Sequence, residues 1–344
     1  MKKTLKITGL ILFLALLAGG FWAYQSYQDI YAANVSINKE SDFLYVPSHS
    51  NFDDLVLQLE KNHFLKDVAS FKKVAELKSF SKVKAGRYTI HNKMSNNALI
   101  NMLRIGDQTP VHITFNHIRT LKQLAGKVSV NIESDSASLV NKLYDKEIQK
   151  KYGFNSHTFI SMFIANTYEL YWNTSAEAFI KRMATEYKAF WNKERKAKAR
   201  KLGLSQSNVT TLASIVGLES LKNDEKPRIA GVYLNRLRKG MLLQADPTVI
   251  FAVGDFSIKR VLKKHLEIDS PYNTYKYKGL PPGPIYLPSV SSIDAVLNSE
   301  HHSYIYFCAK EDFSGYHNFA KSYSQHINNA RKYQRALNRR RIYR

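Results

Sequence analysis

The sequence predicts an α+β fold behind an N-terminal transmembrane helix, with a small α+β domain followed by a larger mixed α/β domain. Three observations carry this. An uncharged run, Ile7 to Gln28, stands near the start. Between residues 42 and 115, apolar patterns of period 2 and period 3.6 alternate. From residue 116 onward helical patterns dominate, and a Pro-, Gly- and Tyr-rich loop at 270–289 interrupts them.

The uncharged run is strongly apolar from Ile7 to Ala23. As a helix, Ile7 to Gln28 is about 33 Å long, enough to cross a bilayer. Lys2, Lys3 and Lys6 precede it and the next charge is Asp29, so the positive-inside rule leaves the N-terminus in the cytoplasm. The competing reading, a cleaved signal peptide, finds only a poor small-residue site in "LLAGGFWA". The expectation is an uncleaved single-pass anchor in the plasma (inner) membrane, with the remainder extracytoplasmic. Residues 1–28 form the cytoplasmic stub and anchor, 29–41 a polar linker, 42–115 the small domain, 116–336 the large domain and 337–344 a basic tail.

In the small domain, "DFLYVP", "KAGRYTIH" and "PVHITFN" read as strands. "SNFDDLVLQLEKN" reads as a helix capped by Ser50 or Asn51, and "DVASFKKVAELKSF" as a second amphipathic helix. "MSNNALINMLRIGD" reads as a helix capped by Ser95 and stopped by Gly106. No His, Asp or Glu cluster suggests chemistry there, so this is a binding or positioning module. The large domain begins mainly helical, broken by "FIANTYELYWNTS". Tyr168, Tyr171 and Trp172 in that stretch serve either as core or as stacking faces for a sugar.

The formal charge of +23 arises partly from the clusters "KERKAKARK" and "ARKYQRALNRRRIYR". No Gly-rich phosphate loop, zinc-finger spacing or RNA-binding signature accompanies them, and an exported chain has no ordinary access to nucleic acid. The basic surface suits anionic lipid or anionic wall polymer instead. The single cysteine, Cys308, excludes an intramolecular disulfide and any multi-Cys metal site. No His-x-x-x-His pair with a carboxylate and no G-x-S-x-G elbow appears, so neither a metal, a cofactor nor a Ser nucleophile is expected.

One position stands out. In "TTLASIVGLESLKND", Leu212, Ile215 and Val216 precede Glu219 by helical spacing, which places a carboxylate on an apolar stripe, while Gly217 faces the other way. Apolar surroundings raise a carboxyl's pKa and suit it to general acid work. The bland alternative is a Glu at the stripe's edge, snorkelling to water or paired with a Lys. After this helix, "PRIAGVYLNRLRKG" reads as an amphipathic helix with Ile229, Val232, Tyr233 and Leu237 inward. Gln244 and Asp246-Pro247 then lead into a short helix. The 270–289 loop brings Tyr272, Asn273, Thr274 and Tyr275, whose amide, hydroxyl and ring faces suit a neutral polyhydroxylated ligand.

Taken in order, "LASIVGLES", "PRIAGVYLNRLRKGMLLQADPTVI", "SPYNTYKYKGLPPGPIYLPS", "SYIYFCAK" and "GYHNFAKSYSQH" resemble the YceG-like family, the endolytic murein transglycosylases named MltG. The resemblance implies a membrane anchor, a small LysM-like domain at 42–115 and a catalytic domain at 116–336 with its catalytic Glu, here Glu219, on a helix. It implies no cofactor. Its partners are peptidoglycan glycan strands, with wall-synthesis enzymes as further partners, and no nucleic acid. The remaining matched positions are Gln244, Asp246, Tyr272, Asn273, Thr274, Tyr275, His317 and His326; all but His326 join Asn166 and Tyr168 as substrate-binding candidates. Two departures stand beside these. Where the family usually has Glu-Lys-Glu-Thr, this chain has Gly217-Leu218-Glu219-Ser220. Where it has Phe-Pro-Asp-Thr-Tyr, this chain has Ile164-Ala165-Asn166-Thr167-Tyr168. They leave open a non-catalytic wall-binding or division-scaffold protein as the alternative to a lytic transglycosylase.

Overall fold

A computed structural model describes residues 2–340; Met1 and residues 341–344, the end of the expected basic tail, lie outside the described residues. The chain divides into two compact units. The first takes in the chain to His112 with Asn131–Ser134 and Glu169–Ser175; the second takes in Ile113–Val130, Asp135–Tyr168 and Ala176 onward. The fold is mixed α+β.

The first unit opens with α1 (Lys2–Tyr31). Its stretch Lys6–Tyr31 is long and apolar enough to cross a membrane, and none of the apolar window is buried. Then come β1 (Ser41–Val46), α2 (Phe52–Lys61), α3 (Val68–Leu77), β2 (Gly86–His91) and α4 (Asn96–Ile105). β1 and β2 pair antiparallel from Ser41↔His91 to Val46↔Gly86. Leu44 and Val46 point inward from β1 and meet Leu55, Leu59, Phe71, Val74, Leu99 and Leu103 from the helices. The caps follow the sequence. Asn51, rather than Ser50, caps α2 in a reciprocal box with Asp54; Ser95 caps α4; Gly106 ends it at φ 77°, a conformation glycine adopts without a Cβ penalty. The stretch expected as a polar linker, 29–41, is bound into this unit. Val35 is buried, and the Asn34 amide donates to Asn96 Oδ1 (2.7 Å) while its oxygen accepts the Asp67 N–H (2.8 Å). A buried amide needs both halves satisfied, and this one ties three segments together.

β3 (Val111–Phe115) pairs with β4 (Asn166–Leu170). The second unit adds α5 (Leu121–Ser129), α6 (Ser136–Tyr144), α7 (Lys146–Lys151), α8 (Ala176–Phe190), α9 (Lys193–Lys201), α10 (Gln206–Glu219), α11 (Lys226–Arg238), α12 (Asp246–Val253), α13 (Lys263–Leu266) and α14 (Val290–Leu297). β5 (Tyr306–Ala309), β6 (His317–Ala320) and α15 (Tyr323–Arg339) complete it. β5 and β6 form an antiparallel hairpin.

α10 is the central element, and it differs from the single apolar stripe expected. Every residue from Val209 to Val216 is buried, because α9, α11, α12 and α14 pack around it. A helix enclosed on all sides must satisfy its polar side chains internally. Thr210, Thr211 and Ser214 do so by donating to the carbonyls of Gln206, Ser207 and Thr211. Ser214 Oγ also accepts the Ile285 N–H at 3.0 Å, which fastens the proline-rich loop to the helix. Ser205 caps α10 at one end, and Glu219 is its last residue at the other, where the enclosing elements open.

Candidate active site

Where α10 ends, the structure has a cleft of about 320 Å³ lined by Glu219, Tyr233, Arg236, Leu243, Gln244, Asp246, Tyr275, Phe307 and His326. These residues come from α10, α11, the turn before α12 and the first residue of α12, the 270–289 loop, β5 and α15. The local folding of each piece explains its place.

α11 starts on Pro227, whose missing N–H costs nothing in a first turn. It carries Tyr233 and Arg236 on the side facing α10 and the β5 hairpin. The Tyr233 hydroxyl donates to Glu219 Oε1 at 2.8 Å. Arg236 is buried and donates through Nε to the Ile305 carbonyl and through Nη1 to that of Leu243, both at 2.7 Å. One guanidinium fork thus pins the strand carrying Phe307 and the turn carrying Gln244. Gln244 sits at φ 52°, an unusual conformation for a residue with a Cβ. Thr274 holds it there: its carbonyl accepts the Gln244 N–H (3.1 Å), and its Oγ1 accepts the Ala245 N–H (3.0 Å). Such over-determined strain gathers at functional sites.

The electrostatics follow from burial. Loss of solvation pushes the Glu219 carboxyl from the ordinary 4.5 up to about 7; the Tyr233 hydrogen bond pulls it back, the Asp246 charge pushes it up further, and Arg236 opposes that. The Tyr233 phenol is raised well above its usual value by burial and by the adjacent Glu219, so it stays a donor. Asp246 accepts from the Tyr275 hydroxyl at 2.6 Å, and burial likewise raises that phenol. His326 is pushed down by desolvation and by Arg236, stacks on Tyr306 and is neutral near pH 7. The cleft therefore presents one carboxyl poised between acid and base, one hydrogen-bonded carboxylate, a fixed cation, a neutral imidazole and two phenols. Among the described residues no group of three or more His, Cys, Asp or Glu converges as a metal requires.

The structure brings together Glu219, Gln244, Asp246, Tyr275 and His326 of the residues singled out in the sequence. It places the others elsewhere. Asn273 and Thr274 are fully buried. The Asn273 amide donates to the Leu266 and Ile268 carbonyls and its oxygen accepts the Tyr275 N–H, so its capacity is spent on shaping the loop. Tyr272 packs on Phe251 and its hydroxyl lies 3.3 Å from His157 Nδ1. Tyr168 is a core residue stacked on Phe115, its hydroxyl donating to the Ile164 carbonyl; Asn166 is exposed, its oxygen accepting the Thr167 N–H. His317 stands beside the cleft, its ring edge on Phe307, and pairs with the buried Glu225 through Nδ1 (2.7 Å) and its backbone N–H (2.8 Å). His301 and His302 lie in irregular chain before β5, and His302 supports α11 through the Arg228 carbonyl. Sequence reasoning did not assign Tyr233, Arg236 or Phe307 to the site. The inward register of Tyr233, on the helix after a Glu in an apolar stripe, was the available signal.

The profile of the YceG-like family matches residues 44–332. The chain belongs to that family. This YceG-like chain is 32% identical over 304 residues to the endolytic murein transglycosylase of Bacillus subtilis strain 168, covering 84% of this chain and 83% of the relative. It is 28% identical over 348 residues to the endolytic murein transglycosylase of Streptococcus pneumoniae D39, covering 88% of this chain and 60% of that longer relative. A crystal structure of a yceG-like protein from Listeria monocytogenes superposes with a TM-score of 0.55 at 28% identity, over 85% of this chain and 99% of that one.

Proposed function

We propose that this chain is an endolytic murein transglycosylase that cuts the β-1,4 bond between N-acetylmuramic acid and N-acetylglucosamine, with Glu219 as its catalytic acid and base. The observation that carries this is the Glu219 carboxyl, half-buried in the lining of a cleft and raised by loss of solvation to about 7. A group poised there gives up a proton and takes one back at neutral pH. The YceG-like membership and the names of the Bacillus and Streptococcus relatives support the substrate class.

The bonds balance without water. Glu219 gives its proton to the leaving glycosidic oxygen as the C1–O bond breaks. The resulting carboxylate then removes the proton of the same sugar's C6 hydroxyl, whose oxygen bonds to C1 and closes a 1,6-anhydro ring. A hydrolase of the usual kind needs a second carboxylate as nucleophile or base. Asp246 is engaged by Tyr275 and serves instead as a fixed charge beside Glu219. Gln244, Tyr275 and His326 supply donors, acceptors and ring faces to the glycan.

The helix Lys6–Tyr31 anchors the enzyme in the plasma membrane, with the remainder on the outer side. Residues 42–115 serve as a LysM-like positioning domain and 116–336 as the catalytic domain. Cutting nascent strands at the membrane ends their elongation, which makes wall-synthesis enzymes the natural partners.

Mass spectrometry of peptidoglycan digests tests the reaction. Anhydro-ended fragments, one water lighter than hydrolytic ends, are expected. Reducing ends alone would make the chain a hydrolase, and intact strands with measurable binding would make it a scaffold.

A further inference from the structure

Glu219 has two carboxyl oxygens in different surroundings. Oε1 accepts the Tyr233 hydroxyl at 2.8 Å, and among the described residues no hydrogen bond is made to Oε2, while the side chain lines the cleft. Tyr233 itself is 2% exposed and is held by the core of its unit, with its ring edge-on to Phe307 at 5.9 Å. The donor therefore comes from a rigid helix and approaches the carboxyl from the protein side.

Resting on the reading of Glu219 given above, we infer that Tyr233 is a positioning residue: its hydroxyl fixes Oε1 as the oxygen turned into the protein and leaves Oε2 as the oxygen that exchanges the proton with the glycan. A carboxyl free to rotate would share its proton between two oxygens, only one of which reaches the glycosidic bond. A phenol that stays protonated is suited to the task, since it donates to Oε1 before and after the proton leaves. The bond strengthens as negative charge develops, because charge-assisted hydrogen bonds are roughly twice as strong as neutral ones. Tyr233 thus stabilises the carboxylate that exists between the two proton transfers. The same hydrogen bond acts on Glu219 against the Asp246 charge, alongside Arg236; Tyr275 and His326 are the other titratable groups facing the cleft.

Tyr233→Phe in the full chain isolates the hydroxyl with little change of shape. Two readouts are needed: titration of the Glu219 carboxyl by carbon-13 NMR, assigned with Glu219→Gln, and the pH dependence of kcat and KM on glycan strands. The expected result is a Glu219 titration about one unit higher, an alkaline limb of kcat displaced the same way, kcat lower by about tenfold, and KM nearly unchanged. Ile229→Val, which loosens the same core from α11 and keeps the hydroxyl, should leave the titration in place. An unmoved titration in Tyr233→Phe, or an equal shift in Ile229→Val, overturns the inference. A titration that moves while the rate profile stays fixed supports the hydrogen bond's hold on Glu219 and removes Glu219 from the chemistry, which separates the two failures.

Discussion

Gly217 lies so close to Tyr286 that a Cβ on it would fall 2.2 Å from the phenolic oxygen and 2.8 Å from Ser292 Oγ. Both neighbours are buried, so neither yields cheaply. The resemblance implies a family pattern with an acid at this position; here a tyrosine hydroxyl occupies the space such a side chain would need.

Gly217→Ala should therefore destabilise the second unit by about 1–3 kcal/mol through overpacking, although alanine is the better helix former. Adding Tyr286→Phe removes the clashing oxygen and should recover part of the loss. Denaturant unfolding of the single and double variants measures both; an alanine variant as stable as wild type would contradict the close packing.

Asn273→Ala should act on the loop. It leaves the Leu266 and Ile268 carbonyls and the Tyr275 N–H without partners, at about 1–3 kcal/mol for each buried group left unpaired. Expected are a lower unfolding temperature and glycan affinity largely kept by the folded fraction. Full stability with lost affinity would instead make Asn273 a direct glycan contact.

Much of this was legible in the sequence, for identifiable reasons. Ser95 and Gly106 mark both ends of α4 because capping and left-handed turns depend on few residue types. Glu219 was visible because a carboxylate within an apolar helix is costly unless used. Asn273 and Thr274 misled because a polar loop residue can face a ligand or satisfy buried backbone equally well, and composition does not say which. A fully enclosed α10 in place of one apolar stripe has a related cause: the hydroxyls of Thr210, Thr211 and Ser214 bond to the helix's own carbonyls, so these polar residues can be buried as well. Arg236, Phe307 and His326 reach the cleft only through tertiary packing, which no local pattern encodes.

Asp246→Asn removes the negative charge that helps hold Glu219 up. Glu219 should ionise at lower pH, and the alkaline limb of the rate profile should move down, opposite to the shift expected for Tyr233→Phe. A profile that stays in place would mean that Asp246 does not act on Glu219 through charge.

Glu219 also makes stability depend on pH. Its folded value of about 7 lies above the ordinary 4.5, so between these limits the folded state binds more protons than the unfolded one. Its contribution is complete below pH 4.5 and is lost as pH rises through 7, amounting to about 3 kcal/mol. Glu219→Gln does not titrate, so its stability relative to wild type should increase from pH 5 to pH 8. Parallel unfolding temperatures across that range would show that the carboxyl is not held in a desolvated site.

The most direct measurement is release of anhydro-ended fragments by Glu219→Gln, read on the same preparation as its thermal unfolding. Gln keeps the shape and the Tyr233 contact but has no proton to give. With Glu219 as acid and base, the variant folds, binds glycan and is slower by on the order of 10² to 10⁴ or more. A folded variant that still cuts strands near the wild-type rate would contradict the role of Glu219 and the mechanism built on it.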